Sequence, residues 1–136
     1  MSAAISKKRI WAGRTLSTLA ILFLIPDSVV KFTTIPAVVD SFAQLGMPLG
    51  LAPVIGILEL ICVAIYAIPR LAIPGAILLT GFLGGAMVTH LRVGDPLFSH
   101  VLFPTYIGIL IWGGLYLRDE RLRSLVVDFP EPRSTH

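Results

Sequence analysis

Charged residues are scarce in this chain. Only 14% of its 136 residues are Asp, Glu, Lys or Arg, whereas an ordinary soluble domain has about 25%. The hydrophobic fraction is 55% and the mean hydropathy is +0.85. A disordered chain needs low hydrophobicity and high charge, and a small soluble fold exposes too much surface to hide so many apolar side chains. The composition excludes a disordered protein, argues against a soluble enzyme and indicates an integral membrane protein.

Cysteine and the usual catalytic motifs are also lacking. Cys62 stands alone, so the chain forms neither an internal disulfide nor a CxxC pair. No HExxH, P-loop, GxGxxG or GxSxG motif is present. The net charge of +3 does not indicate nucleic acid, because the basic residues flank apolar runs and form no patch. We therefore expect no metal site, no covalently bound cofactor and no nucleic-acid partner.

Four apolar runs are each roughly long enough to cross about 30 Å of hydrocarbon. They predict an all-α fold, an integral membrane up-down bundle of four helices in contact with the lipid bilayer. A basic N-terminus at residues 1–10 precedes the transmembrane domain at 11–117, and an amphipathic or disordered tail at 118–136 follows it. The runs cover residues 11–30, 49–68, 71–91 and 97–117.

Lysines and arginines concentrate near both termini and at Arg70, whereas the other connections between the runs contain only Lys31 and Arg92. By the positive-inside rule, both termini lie in the cytoplasm, and Tyr66 falls in the aromatic belt at the inner interface. A basic N-terminus before an apolar run also begins a signal peptide. No small-residue cleavage site follows this one, so we interpret the run as a retained helix.

Two segments outside the runs have apolar residues at helical spacing. Residues 36–45 predict a short interfacial helix over the bundle. In the tail, Leu122, Leu125 and Phe129 recur among arginines, which predicts a short helix on the inner membrane face. Pro130 and Pro132 should end it, and the last few residues should be disordered.

The third run carries small residues on two neighbouring rows. Small residues let helices approach closely in lipid, where packing replaces the hydrophobic effect. One interpretation is close packing inside this bundle, and the other is the contact of a homo-oligomer. The rows contain Ala72, Ala76, Thr80 and Gly84, with Gly81 and Gly85 beside them.

Glu59 lies near the middle of the second run, with apolar residues on both sides. A charge at the bilayer centre costs roughly 2.5–3.5 kcal/mol, so such a residue is generally paired or functional. Asp27 and Lys31 are four residues apart near the end of the first run and share a helix face. Glu59 is either a structural ion-pair member or part of a ligand or proton site, and Asp27 and Lys31 either neutralise each other locally or join that site.

His90 ends the third run on the side of the membrane where Lys31 lies. Arg92, Asp95 and His100 follow it closely. His90, Asp95 and His100 could bind a metal only if the loop folded back. We instead expect Asp27, Lys31, Glu59 and His90 to converge on one outward-facing cavity.

The order and spacing of several short motifs resemble the DoxX-like family of small four-helix bacterial membrane proteins. The similarity spans about residues 15–117. The motifs are Lys31, Leu45-Gly46-Met47-Pro48, Ile55-Gly56-Ile57-Leu58-Glu59-Leu60, Pro69-Arg70, Gly75-Ala76, Gly85-Ala86, His90-Leu91 and Gly94-Asp95-Pro96.

The resemblance implies a multi-pass protein of the bacterial cytoplasmic membrane in which Lys31, Glu59 and His90 are typical polar positions. It also implies a link to thiosulfate:quinone oxidoreductase and to oxidative-stress responses, so that a bound quinone and a redox partner protein are expected. Some members of the family resemble assembly partners or chaperones.

Three functions remain open from the sequence. In the first, Glu59 and His90 bind a quinone head group or move its protons within a redox system, and Lys31 supplies charge. In the second, the polar cluster is structural and Gly85 belongs to a face that contacts another membrane protein. In the third, the protein transports a small molecule or protons, for which four helices are few.

Overall fold

The computed structural model describes residues 6–127, and every regular element within them is helical. Four of its helical segments, Lys7–Val30, Leu49–Ala67, Pro69–Arg92 and Leu97–Arg118, are long and apolar enough to cross a membrane. The predicted all-α fold with four membrane spans is thus confirmed. The helices are α1 (Lys7–Val30), α2 (Pro36–Gln44), α3 (Ala52–Ala67), α4 (Ala72–Arg92), α5 (Phe103–Arg118) and α6 (Glu120–Val127).

Local sequence signals set the helix boundaries. The Ser6 hydroxyl accepts a hydrogen bond from the backbone N–H of Arg9 at 3.3 Å, which caps the N-terminus of α1. Pro36 is the first residue of α2, where its missing N–H costs nothing. The connections after α2 and α4 turn at Gly46 and Gly94, whose φ angles of +65° and +74° suit glycine.

The four spans form a ring in which α1 packs against α3 and α5, and α4 packs against the same two helices. The end of the bundle where α1 and α4 finish is called the cluster end, and the end where α1 begins and α5 finishes is called the terminal end. The helices α1 and α5 approach most closely at Gly13 and Gly114, since a Cβ atom built on Gly13 would lie 2.7 Å from the Gly114 carbonyl oxygen. Small residues are therefore required at this crossing.

Only one part of the small-residue rows of α4 packs closely within the bundle. Ala72 and Ala76 are fully buried in the core, as that interpretation requires. A Cβ atom built on Gly81, Gly84 or Gly85 would instead meet no atom of another described helix within 4 Å. Among residues 6–127, no neighbouring helix packs tightly against the three glycines, because the buried face of α4 passes through Leu79 and Leu83.

The two short helices lie at opposite ends of the bundle. As predicted, α2 forms over residues 36–44 at the cluster end, where Val38 and Phe42 are buried. At the terminal end, the predicted short helix of the tail forms as α6 over Glu120–Val127 and buries Leu122. The sequence predicted that Phe129 completes this helix, that Pro130 and Pro132 end it, and that the last few residues are disordered. All of these residues lie outside the part of the chain that the structure describes.

Candidate functional site

Lys31 links two acidic side chains at the cluster end. It follows the last residue of α1, and its Nζ donates to Glu59 Oε2 at 2.8 Å. The same ammonium donates to the Asp27 carboxylate and, at 3.1 Å, to the Asp27 backbone carbonyl. An ammonium group has three N–H donors, so these bonds occupy all of them. These bonds join three of the four residues expected to converge, and all four, including His90, line one cavity. Lys31 is the group that holds Glu59 in position.

Glu59 is the most deeply buried polar group of this cluster, with 0% of its side chain exposed. Its Oε2 atom accepts from Lys31, but Oε1 has no hydrogen-bond partner among the described residues. A buried polar atom left unpaired costs about 1–3 kcal/mol. Glu59 Oε1 is thus a buried acceptor without a partner among the described residues, and a ligand would reach it only after a rotation of the Glu59 side chain.

A cavity of about 580 Å³ lies beside this carboxylate. Volumes of about 300–1,000 Å³ are typical of small-molecule sites. Its polar wall carries Lys31, Glu59 and His90, whereas Leu24, Phe82 and Ile107 are among its apolar lining residues. The cavity is therefore amphiphilic, as a ligand with a polar head and an apolar body would require.

His90 also lines the cavity, and Asp95 fixes its ring. The Nδ1 atom of His90 lies 2.6 Å from Asp95 Oδ2. Because an ionised carboxylate only accepts, Nδ1 is the donor, and Nε2 accepts in the neutral ring but donates in the protonated one. The ring of His100 lies edge-on to that of His90, with centroids 5.9 Å apart. The connection after α4 therefore does fold back towards His90. Within residues 6–127, however, no group of three His, Cys, Asp or Glu side chains is arranged to hold a metal ion.

The remaining candidate, Arg92, lies apart from this site. It is exposed and does not line the cavity, and its guanidinium donates to the backbone carbonyl of Leu45. Arg92 thereby ties the end of α4 to the connection after α2. Its proximity to His90 in sequence does not bring it into the polar cluster, because it lies two residues further along the helix and so on another face.

Several residues that line the cavity are also exposed on the outer surface of the bundle. Gly81 and Gly85 of α4 are two of them. Each lies two residues beyond a core-facing leucine, which corresponds to a rotation of about 200° around the helix. On α3, Leu58 lines the cavity and is 52% exposed. In a membrane, the wall of the cavity therefore includes residues that face lipid.

A second polar network near the terminal end escaped the sequence analysis. Tyr66 was expected in the interfacial aromatic belt, but it is 0% exposed, and its hydroxyl donates to the Ile111 carbonyl at 2.9 Å. It also lies 2.8 Å from the Ser17 hydroxyl, which accepts from Arg118 Nε at 3.1 Å. Tyr66 follows Glu59 by seven residues and so shares its face of α3. That spacing was the signal for its burial.

These features define an α-helical multi-pass membrane protein with a buried ion pair beside an internal cavity. The chain belongs to the DoxX-like family, whose model matches residues 15–114. Neither the comparison with curated proteins nor that with solved structures gave a match. The membership confirms the resemblance found in the sequence.

Proposed function

We propose that the cavity binds a membrane quinone in its reduced, quinol form, and that the protein is a membrane component of a quinone-linked redox system. The observation that carries the proposal is Glu59 Oε1, a buried acceptor without a partner among the described residues, beside a cavity of about 580 Å³. A ligand hydroxyl that donates to this oxygen would remove the cost of leaving it unpaired.

The polarity of the hydrogen-bonding groups favours the quinol. Glu59 Oε1 and His90 Nε2 are both acceptors when Glu59 is ionised and His90 is neutral. The N–H donors of Lys31 are already taken by Asp27 and Glu59. A quinol presents hydroxyl donors, whereas a quinone presents carbonyl acceptors that find no matching donor on these atoms.

The shape of the cavity suits a ligand with an apolar tail. The polar groups lie at the cluster end, whereas Leu58, Gly81 and Gly85 line the cavity and are exposed on the outer surface. We propose that the cavity opens to lipid beside these three residues. A tail that leaves through this opening would stay in hydrocarbon while the head group contacts Glu59. The two glycines keep the route open, because neither carries a side chain.

The first test is mass spectrometry of the small molecules that co-purify with the protein in lipid nanodiscs under anaerobic, reducing conditions. Wild type should retain a quinol and Glu59→Gln should lose it. To keep accepting from Lys31, the amide oxygen of the glutamine must take the place of Oε2, which puts its NH₂ donor where the ligand needs an acceptor. Glu120→Gln, which alters an exposed glutamate on α6, is the matched control and should retain the quinol.

Addition of a short-chain quinol and of the corresponding quinone to purified protein completes the test. Wild type should bind the quinol more tightly, and Glu59→Gln should reverse that preference. Equal binding of both forms by wild type would contradict the hydrogen-bonding argument. A wild-type protein that neither carries nor takes up a quinone in any form would refute the proposal.

A second candidate function is that of an assembly partner for another membrane protein, and the open space beside three glycines of α4 favours it. Gly81, Gly84 and Gly85 leave open space that a helix of another protein could fill. In that case Gly85→Leu should abolish a co-purifying complex while Glu59→Gln lowers stability and leaves the complex intact. A complex that survives Gly85→Leu would count against this function.

A further inference from the structure

Two arginines converge on one aromatic ring at the terminal end of the bundle. Arg9 of α1 and Arg123 of α6 place their guanidinium carbons 5.6 Å and 5.7 Å from the centroid of the Tyr116 ring on α5. The first helix of the chain and its last two described helices therefore meet at this point. The attraction between each cation and the ring favours the arrangement, but the ring carries no net charge to balance two cations.

Neither guanidinium has a counter-ion among the described residues. The salt bridges within residues 6–127 include neither Arg9 nor Arg123. The Nε atom of each is buried and lacks a hydrogen-bond acceptor there. The nearby carboxylate of Asp119 is bonded to Arg121 at 2.7 Å. Buried charges in proteins are generally paired, so an anion beside these two partly buried cations would be stabilised.

The location identifies the kind of anion. Arg9 and Tyr116 lie at the ends of membrane-spanning helices, and α6 exposes Leu125, Val126 and Val127 beside Arg123. An anion bound here would lie where hydrocarbon gives way to water, which is the position of a phospholipid headgroup. Planar guanidinium groups match the oxygen atoms of a phosphate.

We infer that Arg9, Tyr116 and Arg123 form a binding site for the phosphate of an anionic phospholipid. The phosphate bridges α1 to α6, and the acyl chains extend past the exposed apolar residues of α6. This site lies at the opposite end of the bundle from the cavity and does not depend on the quinone proposal. The N-terminal helix α1 and the C-terminal helix α6 are therefore held together only when the lipid is bound.

Native mass spectrometry of the full chain in detergent, titrated with phosphatidylglycerol or phosphatidylcholine, tests the site. Wild type should bind phosphatidylglycerol more tightly than phosphatidylcholine. A basic residue near an anionic headgroup contributes about 1 kcal/mol, so each of Arg9→Gln and Arg123→Gln should weaken phosphatidylglycerol binding about fivefold. Arg14→Gln is the matched control, since Arg14 lies near the same end over the Trp11 ring, 5.7 Å from its centroid, and it should leave the affinity within about twofold.

Three outcomes would overturn the inference. The first is equal affinity of wild type for the two lipids, and the second is a loss in Arg14→Gln as large as that in Arg123→Gln. The third is displacement of the lipid by inorganic phosphate at the same concentration, which would assign the site to a soluble anion. Arg123 lies on the peripheral α6, so Arg123→Gln leaves the four spans intact and keeps the test decisive even if Arg9→Gln fails to fold.

Discussion

Removal of the Lys31 ammonium should be among the most destabilising single changes in the cluster. In Lys31→Met, the Glu59 carboxylate keeps its full burial, with 0% of the side chain exposed, but loses the donor that lies 2.8 Å from Oε2. Both carboxylate oxygens then lack a described partner, because Oε1 has none in the wild type. Breaking a buried ion pair from one side costs about 3–5 kcal/mol, and we expect a loss of that size in the free energy of unfolding.

The contrast with Asp27 makes the prediction specific. The Asp27 side chain is 44% exposed, and solvent screens its attraction to Lys31. Asp27→Asn should therefore cost about 0.2–1 kcal/mol. The double variant Lys31→Met/Glu59→Leu should recover most of the loss, since replacing both members of a buried pair by apolar residues is often neutral or stabilising.

Reversible unfolding in mixed micelles of dodecyl sulfate and a mild detergent would measure all four free energies. With Glu59→Leu added, the wild type, the two single variants Lys31→Met and Glu59→Leu and the double variant form a cycle that isolates the coupling between Lys31 and Glu59. A loss in Lys31→Met no larger than that in Asp27→Asn would refute the reasoning. So would a double variant less stable than Lys31→Met alone, because it would show that the uncompensated carboxylate is not the source of the cost.

Three further changes test other parts of the fold. Gly13→Ala should destabilise the bundle by about 1–3 kcal/mol through overpacking. Gly84→Ala, with open space beside Gly84, should instead stabilise the bundle by up to about 1 kcal/mol. Thermal unfolding in nanodiscs compares the two variants. Tyr66→Phe removes the buried hydroxyl and its two hydrogen bonds and should cost about 1–3 kcal/mol in the same assay. The Arg121 guanidinium, through its hydrogen bonds, lowers the pKa of Asp119 below its ordinary value of 3.8. A lowered pKa stabilises the fold above that ordinary value, and the contribution disappears as the pH falls through the lowered pKa. Limited proteolysis of α6 at pH 6 and pH 3 should show acid-induced cleavage that Asp119→Asn makes independent of pH.

The spans and their order were predictable because hydrocarbon imposes a length and a composition that few other environments require. The short α2 was also predictable, since its apolar residues recur at helical spacing between Pro36 and Leu45. The orientation of the termini stays a prediction from the distribution of lysine and arginine. The exact start of α6 was less accessible, because Asp119 and Glu120 begin a polar segment without apolar periodicity.

The residues of the polar cluster could be predicted from the sequence, but the hydrogen bonds that join them across helices could not. Burial depth alone selected Glu59, and helical spacing placed Asp27 beside Lys31. The pairing of Lys31 with Glu59 depends on how α1 packs against α3, which no local pattern specifies. For the same reason the sequence left open whether the glycines of α4 pack within the bundle or contact another copy of the chain, and it did not predict that Gly81 and Gly85 line the cavity. Small residues indicate that a helix surface is left free of side chains, but they do not indicate whether a neighbouring helix or a cavity occupies that space.

The bond between Lys31 and Glu59 has a consequence for how the protein enters the membrane. It joins α1 to α3, the first two spans along the chain, and chains are synthesised from the N-terminus. Both partners are therefore made before α4 begins. A glutamate entering the bilayer alone faces a cost of roughly 2.5–3.5 kcal/mol, which a lysine already bonded to it would reduce. We expect α1 and α3 to integrate as one hairpin, so that loss of Lys31 would delay insertion at the translocon during biogenesis.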